Sequence, residues 1–183
     1  GNEQTGISIT EGTETSDVDF TLNTAYGTIL GTVREKSTND PIPGISVRAQ
    51  NDQTGSTIDT TATNKDGNYS MGRVPLDAES GYRIFAYGQG YVRQYYRRKV
   101  LYDERDTVLI DDSGAASGID FLMSPGAVVR GRITNATGEA LSDGTTYVYY
   151  QYEGGSNSYG DGLSNNGWYE IDSLPGGDYK LRF

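Results

Sequence analysis

Alternation of apolar and polar residues marks a short stretch that occurs twice in this chain. The first copy is SDVDFTL, residues 16–22, and the second is SGIDFLM, residues 117–123. In each copy every second residue is apolar, which is the period of a β-strand with one buried face. Phe20 and Phe121 occupy the same place in the two copies, 101 positions apart. The repeat predicts that the chain contains two related units.

Other matching stretches extend the repeat along the chain. A glycine-punctuated apolar strand follows each copy, at 27–33 and at 126–133. Asp66-Gly67 and Asn166-Gly167 each lie between two extended runs, where glycine permits the positive φ of a hairpin turn. We therefore predict an N-terminal strand segment at 1–26, a first β-sandwich at 27–125 and a second, truncated one at 126–183.

The two units are not equally complete in this sequence. The second has no counterpart of residues 87–123, whereas residues 1–22 match residues 102–123. The piece in excess at the start of the chain thus corresponds to the last part of the piece missing from the second unit. We expect the second unit to need a strand from another chain or repeat, with Ile7, Ile9, Val18, Phe20 and Leu22 as the candidate donor-strand contacts.

Composition narrows the possible functions. The 183 residues carry 25 Asp and Glu against 15 Lys and Arg, a net charge of −10, which disfavours nucleic acids as partners. Without Cys or His, the chain has no thiol or imidazole chemistry, and no Ser or Thr has a plausible partner base. No apolar run reaches the roughly 20 residues of a membrane span. We predict a protein that is not an enzyme and does not insert into a membrane.

A set of motifs in the first unit resembles the carboxypeptidase regulatory-like domain. These motifs are the Gly-x-Val strand at 31–33, the Pro-Ile-Pro-Gly turn at 41–44, Asp-Gly-Asn-Tyr at 66–69, Val-Pro at 74–75 and the aromatic strand at 82–86. The resemblance implies an all-β fold of two tandem prealbumin-like or immunoglobulin-like sandwiches. The second unit departs from it at 142–144, where the double-proline turn is missing.

The alternating pattern also predicts the core of the first unit, which we expect to contain no α-helix longer than a turn or two. Ile84 and Phe85 are adjacent, so they cannot both face inward on a regular strand. The ten candidate core residues are Ile29, Val33, Val47, Tyr69, Met71, Ile84, Phe85, Ile110, Ile119 and Phe121.

Several polar and aromatic groups are candidate binding sites. Asn64, Asp66 and Asn68 alternate as calcium ligands do, but a calcium-loop register places Ala62 and Arg73 at the two key positions. We therefore predict a hairpin turn and no metal or other cofactor, with calcium as the alternative. An aromatic and basic segment forms either a cover for the sandwich edge or a glycan-binding patch, with candidate residues Tyr91, Arg93, Tyr95, Tyr96 and Arg97. Asn68 and Asn135 fit the glycosylation acceptor pattern.

Three functions fit these observations. The first is a structural subunit of an extracellular, cell-surface filament, a pilus-like homopolymer assembled head to tail by donor-strand complementation. The second is a spacer from a longer tandem-repeat surface protein, and the third is a carbohydrate-binding accessory module for cell-surface glycans. The complementary ends of the sequence favour the first.

Overall fold

The computed structural model of the chain describes residues 10–14, 16, 26–88, 90–100, 105–110, 114–140, 147–152, 158–162 and 167–182. Strands form nearly all of the regular structure in this part, and a single 3-10 turn, Tyr96–Arg98, is its only helical element. The strands are β1 (Tyr26–Glu35), β2 (Ser46–Asn51), β3 (Thr57–Ala62), β4 (Asn68–Pro75), β5 (Asp77–Gly88), β6 (Tyr91–Tyr95), β7 (Thr107–Ile110), β8 (Ala115–Ala116), β9 (Phe121–Met123), β10 (Ala127–Arg132), β11 (Tyr147–Tyr152), β12 (Ser158–Gly162), β13 (Trp168–Leu174) and β14 (Tyr179–Arg182). The predicted all-β class is confirmed.

The first unit is a sandwich of two sheets. In one sheet, β1 pairs with β4 antiparallel on one edge and with β8 and β9 parallel on the other. The second sheet has the order β3-β2-β5-β6, and β7 also pairs with β5. Parallel pairing of β8 and β9 with β1 closes the sandwich on the side where β1 would otherwise be an open edge.

The core lies between these sheets. All ten residues predicted for it are buried, none with more than 5% of its surface exposed. Ile84 belongs to the central apolar cluster, but Phe85 lies outside that cluster, on the opposite face of β5. Both side chains are buried because other residues cover the outer face around Phe85.

The second unit repeats the strand pairing of the first. β10 pairs with β13 as β1 pairs with β4, with Gly131 opposite Tyr169 where Gly31 is opposite Tyr69. Both ladders shift register at the equivalent place, between Gly27 and Ile29 and between Ala127 and Val129. β14 and β12 flank β11 as β5 and β3 flank β2. The two units therefore have the same fold over the strands that they share.

In each unit a tyrosine hydroxyl donates a hydrogen bond across the turn that precedes the tyrosine. The Tyr82 hydroxyl donates to the Pro75 carbonyl at 2.7 Å, and the Tyr179 hydroxyl donates to the Pro175 carbonyl at 2.6 Å. Tyr82 lies seven residues after its proline and Tyr179 four, so the same bond closes a turn that is three residues shorter in the second unit.

The units meet where β9 leads into β10. Val92 donates its N–H to the Ser124 carbonyl at 3.0 Å, and Gly126 donates to the Gly90 carbonyl at 2.8 Å. The Gly90 N–H donates to the Ser173 hydroxyl at 3.2 Å. A Cβ on Gly126 would lie 2.4 Å from the Ser173 Cα, so this junction requires glycine.

The Asp66-Gly67 segment forms a turn. Asn64 Oδ1 accepts the N–H groups of Asp66 and Asn68, both at 3.0 Å. Gly67 has a φ of 74°, and so does Gly167 in the second unit. Asp66 itself faces Lys65 at 2.8 Å. Asn64, Asp66 and Asn68 thus take part in a turn, and within the described ranges no three acidic side chains form a group that could hold a metal ion.

Candidate functional site: the outer edge of β10

The edge of β1 that faces β8 and β9 shows how a complete unit is built. Thr28 donates its N–H to the Gly114 carbonyl at 2.9 Å, and Ile119 donates to the Leu30 carbonyl at 3.1 Å. Farther along, β9 pairs with β1 in register from Val33 opposite Phe121 onward. The segment from 114 to 123 therefore satisfies backbone groups along the length of β1, which an open edge would leave to water.

The closest approach on this edge is at Gly31. A Cβ on Gly31 would lie 2.1 Å from the Ile119 carbonyl oxygen, a distance that no side chain can accept. Tyr69, opposite Gly31 on β4, donates its hydroxyl to the same oxygen at 2.6 Å. Burial, together with the nearby Asp120 carboxylate, raises the pKa of Tyr69 well above its usual range, so the phenol stays neutral and remains a donor.

The equivalent edge of β10 carries no strand among the residues that the structure describes, where β10 pairs with β13 alone. Gly131 and Tyr169 nevertheless occupy the places of Gly31 and Tyr69. Around Gly131, the nearest neighbours of an added Cβ would be atoms of the Tyr169 ring and hydroxyl, where at Gly31 they include the Ile119 backbone. The second unit thus has a glycine and a tyrosine positioned like those that receive a strand in the first.

Among the described residues, fewer apolar side chains are buried beneath this edge than in the first unit. Ile133, Ile171 and Leu174 are buried, with Val129, Tyr169 and Tyr179 only partly so. Leu181 is 40% exposed, although its counterpart by register, Ile84, is fully buried. Apolar side chains of the second unit therefore have surface available for a further strand.

The five candidate donor residues, Ile7, Ile9, Val18, Phe20 and Leu22, lie outside the described residues. Their counterparts in the first unit all belong to its apolar core and have at most 5% of their surface exposed: Val108, Ile110, Ile119, Phe121 and Met123. A strand with the sequence of residues 7–22 therefore has the apolar pattern that this position requires.

The aromatic and basic segment divides between two faces of the first unit. Tyr91 and Tyr96 pack against the central core, and the Arg97 guanidinium lies 5.6 Å from the Tyr96 ring. Tyr95 is on the outer face, where its ring lies 5.4 Å from that of Phe85. Arg93 is exposed and extends over the same outer face.

Sequence reasoning missed two members of this outer layer, Arg48 and Tyr87, and named Phe85, which also belongs to it, as a core candidate. The guanidinium of Arg48 lies 5.9 Å from the Phe85 ring and donates to the Tyr87 hydroxyl at 2.7 Å. Arg93 lies 5.6 Å from the Phe85 ring on β5. Because the register aligns β2, β5 and β6 side by side, residues more than 30 positions apart stack as cation–π pairs. Phe85 and Tyr95 are buried, and Arg48 and Arg93 lie over Phe85, so these two rings offer little open surface to a sugar. Glycan binding there stays a prediction.

The two candidate glycosylation asparagines differ in their surroundings. Asn68 is exposed at the start of β4. The Asn135 amide nitrogen donates to Glu139 at 2.8 Å, and its oxygen accepts the N–H groups of Thr137 and Glu139. The Asn135 side chain thus stabilises the 135–139 turn. Glycosylation at either asparagine remains a prediction.

Comparison with known proteins identifies the first unit. Residues 28–112 match the family described as "Carboxypeptidase regulatory-like domain". Those residues form a carboxypeptidase regulatory-like domain. The resemblance predicted from the turn and strand motifs is confirmed there, and the second unit, outside the matched range, shares the strand register of this regulatory-like domain.

Searches of other proteins give weaker likenesses. No curated protein matches the chain. Among solved structures, the chain is similar to the major pilin subunit of Bacillus cereus, with 13% identity over 54% of this chain and 30% of that one, and a TM-score of 0.40. The TIE protein of Bacillus anthracis matches at 14% identity over 86% and 28%, with a TM-score of 0.40. A streptococcal ancillary pilin matches at 13% over 87% and 54%, again with a TM-score of 0.40. The chain thus spans between 28% and 54% of these three proteins, and likenesses this distant carry no argument about function.

The described part of the chain contains no helix with the length and hydropathy that a membrane-spanning helix needs.

Proposed function

We propose that this chain is a non-enzymatic structural subunit of an extracellular, pilus-like filament. Residues 1–22 of one copy add as a strand to the second unit of another copy, and repetition of this step gives a head-to-tail homopolymer. The observation that carries the proposal is the β10 edge, which lacks a strand in the described residues although the same edge of β1 is covered by residues 114–123.

Contacts within the first unit predict which residues the donated strand contacts in the second unit of the other copy. Val108 lies opposite Tyr82 on β5, so Ile7 is expected opposite Tyr179 on β14. Phe121 lies opposite Val33 on β1, so Phe20 is expected opposite Ile133, just beyond β10. One donated segment would therefore add to both sheets of the second unit.

Assembly is favoured when contacts between the two copies add to the contacts of the donated strand itself. Full burial of each apolar side chain contributes about 1.5–3 kcal/mol, and ordering each residue costs about 1–2 kcal/mol. These contributions nearly offset each other over a free tail. The tail is, however, attached to β1 of its own copy, so binding brings the first unit of that copy beside the second unit of the next, where the two copies can make further contacts.

The test is assembly of the purified chain, followed by sedimentation and negative-stain microscopy. We expect filaments from the wild type and none after deletion of residues 1–22. Phe20→Asp should also prevent assembly, because it places a charge where Phe121 is fully buried in the first unit. Ser16→Asp is the matched control, since its counterpart Ser117 is exposed. Filaments that form without residues 1–22 would contradict the proposal.

A spacer in a longer tandem-repeat protein is the second candidate, because the shared register of the two units also fits a continuing series of repeats. In that case the strand on β10 comes from the next repeat of the same polypeptide. Residues 1–183 would then remain monomeric at every concentration tested.

A further inference from the structure

In the first unit, one polar side chain fixes the register of the strand that completes it. Asp120 Oδ1 accepts the Thr32 N–H at 2.8 Å and the Thr32 hydroxyl at 2.9 Å. The residues on either side of Asp120, Ile119 and Phe121, are buried. Thr32 thus binds the outward-facing carboxylate, and the two apolar residues beside Asp120 are buried in the core.

The second unit has a different residue at this place. Arg132 lies opposite Trp168 on β13, as Thr32 lies opposite Asn68 on β4. The Arg132 side chain is exposed, and its guanidinium lies 5.8 Å from the Trp168 ring. No carboxylate within the described ranges forms an ion pair with Arg132, in contrast to Arg130, which holds Glu170 at 2.7 Å.

The N-terminal segment has an aspartate at the matching place in its sequence. Asp19 precedes Phe20 as Asp120 precedes Phe121, in matching sequences 101 positions apart. We propose that Asp19 of one copy binds Arg132 of the next, accepting its backbone N–H and pairing with its guanidinium. This inference rests on the proposed strand exchange and names the contact that sets its register.

The replacement of threonine by arginine changes what the site selects. A hydroxyl at position 32 donates one hydrogen bond to Asp120, whereas a guanidinium attracts a carboxylate before contact and holds it with a charge-assisted bond. Because the chain has a net charge of −10, a positive group at the acceptor edge also offsets repulsion between approaching copies. Arg132 is therefore a specificity-determining residue for the join.

Charge reversal in the full-length chain tests the pairing. Asp19→Arg and Arg132→Asp should each raise the critical concentration for assembly about tenfold or more, the size expected of a charge-assisted hydrogen bond replaced by like-charge contact. An equimolar mixture of the two variants should assemble close to the wild-type critical concentration. In that mixture every join can be made between opposite charges, so the filaments alternate the two variants.

Asp17→Arg is the matched control. It makes the same charge change two residues away, but its counterpart Gly118 is exposed and has open space where a side chain would project. We expect this variant to assemble with a critical concentration near that of the wild type. Circular dichroism of each variant before assembly confirms that its strands have formed.

The possible results separate this inference from the proposed function. Wild type and both reversals assembling alike would overturn the Asp19–Arg132 pairing and leave strand exchange standing. Single variants that fail, with no recovery on mixing, would also overturn the pairing. A wild type that never assembles would overturn both.

Discussion

The two units share one strand register, but among the described residues only the first has a further strand on the outer edge of this pair. Tyr69 in the first unit is buried and bonded to Ile119, whereas Tyr169, at the same place in the second, is only partly buried. The pairing of β1 with β4 and of β10 with β13 is the same, so this strand pair forms in both units whether or not the structure shows a strand on its other edge. What differs is the third strand, which comes from a distant part of the chain. The comparison teaches that a strand pair can form from its own residues while its core depends on a segment supplied from elsewhere.

The largest effect should come from truncating the phenylalanine at the centre of the third strand. Phe121→Ala should destabilise the first unit by about 3–5 kcal/mol, because a fully buried aromatic ring leaves a cavity. Phe20→Ala should leave the unfolding of the first unit unchanged and weaken assembly instead. Urea unfolding measures the first effect and sedimentation the second. Equal destabilisation by both variants would contradict the separation of the two roles.

The paired glycines should give a smaller difference. Gly31→Ala should cost about 1–3 kcal/mol, since the new methyl would meet the Ile119 backbone and force the strand away. In Gly131→Ala the new methyl meets the end of the Tyr169 side chain, which can move aside. We expect little loss of stability in the unassembled protein and a marked loss of assembly. If Gly131→Ala assembles normally, no strand passes over Gly131 as Ile119 passes over Gly31.

The sequence predicted the parts of this comparison that depend on local pattern. Alternation identified ten buried residues, nine of them in the central apolar cluster, and showed that Ile84 and Phe85 must face opposite ways. It could not show that Arg48 and Arg93 would cover Phe85, because that contact depends on which strands become neighbours. Nor could it locate the Gly31–Ile119 contact. The period-two pattern of apolar residues shows which side chains face inward, but it does not show which edge of the sheet a parallel strand pairs with.

Removal of one hydroxyl should distinguish the covered edge from the open one. Tyr69→Phe leaves the buried Ile119 carbonyl without its side-chain donor and should destabilise the first unit by about 1–3 kcal/mol. Tyr169→Phe should have a much smaller effect before assembly, because the described residues show no buried carbonyl bonded to that hydroxyl. Thermal unfolding of the unassembled chains measures both. A loss in Tyr169→Phe as large as in Tyr69→Phe would mean that the β10 edge is already occupied.

The smallest effect should appear at high pH and depends on the same tyrosine. Burial raises the folded-state pKa of Tyr69 above its ordinary value of 10.0, so the unfolded chain releases this proton at a lower pH than the folded chain does. The stabilisation is therefore fully present below about pH 10 and is lost as the pH rises above it, by up to about 1.4 kcal/mol per pH unit from this group. Every other tyrosine also titrates, so the informative quantity is the difference between wild type and Tyr69→Phe in urea unfolding from pH 9 to about pH 11. We expect the wild type to lose stability more steeply, since only it carries the raised group. Parallel slopes would show that the Tyr69 hydroxyl ionises as readily in the folded unit as in the unfolded chain, and that the Ile119 contact does not keep it protonated.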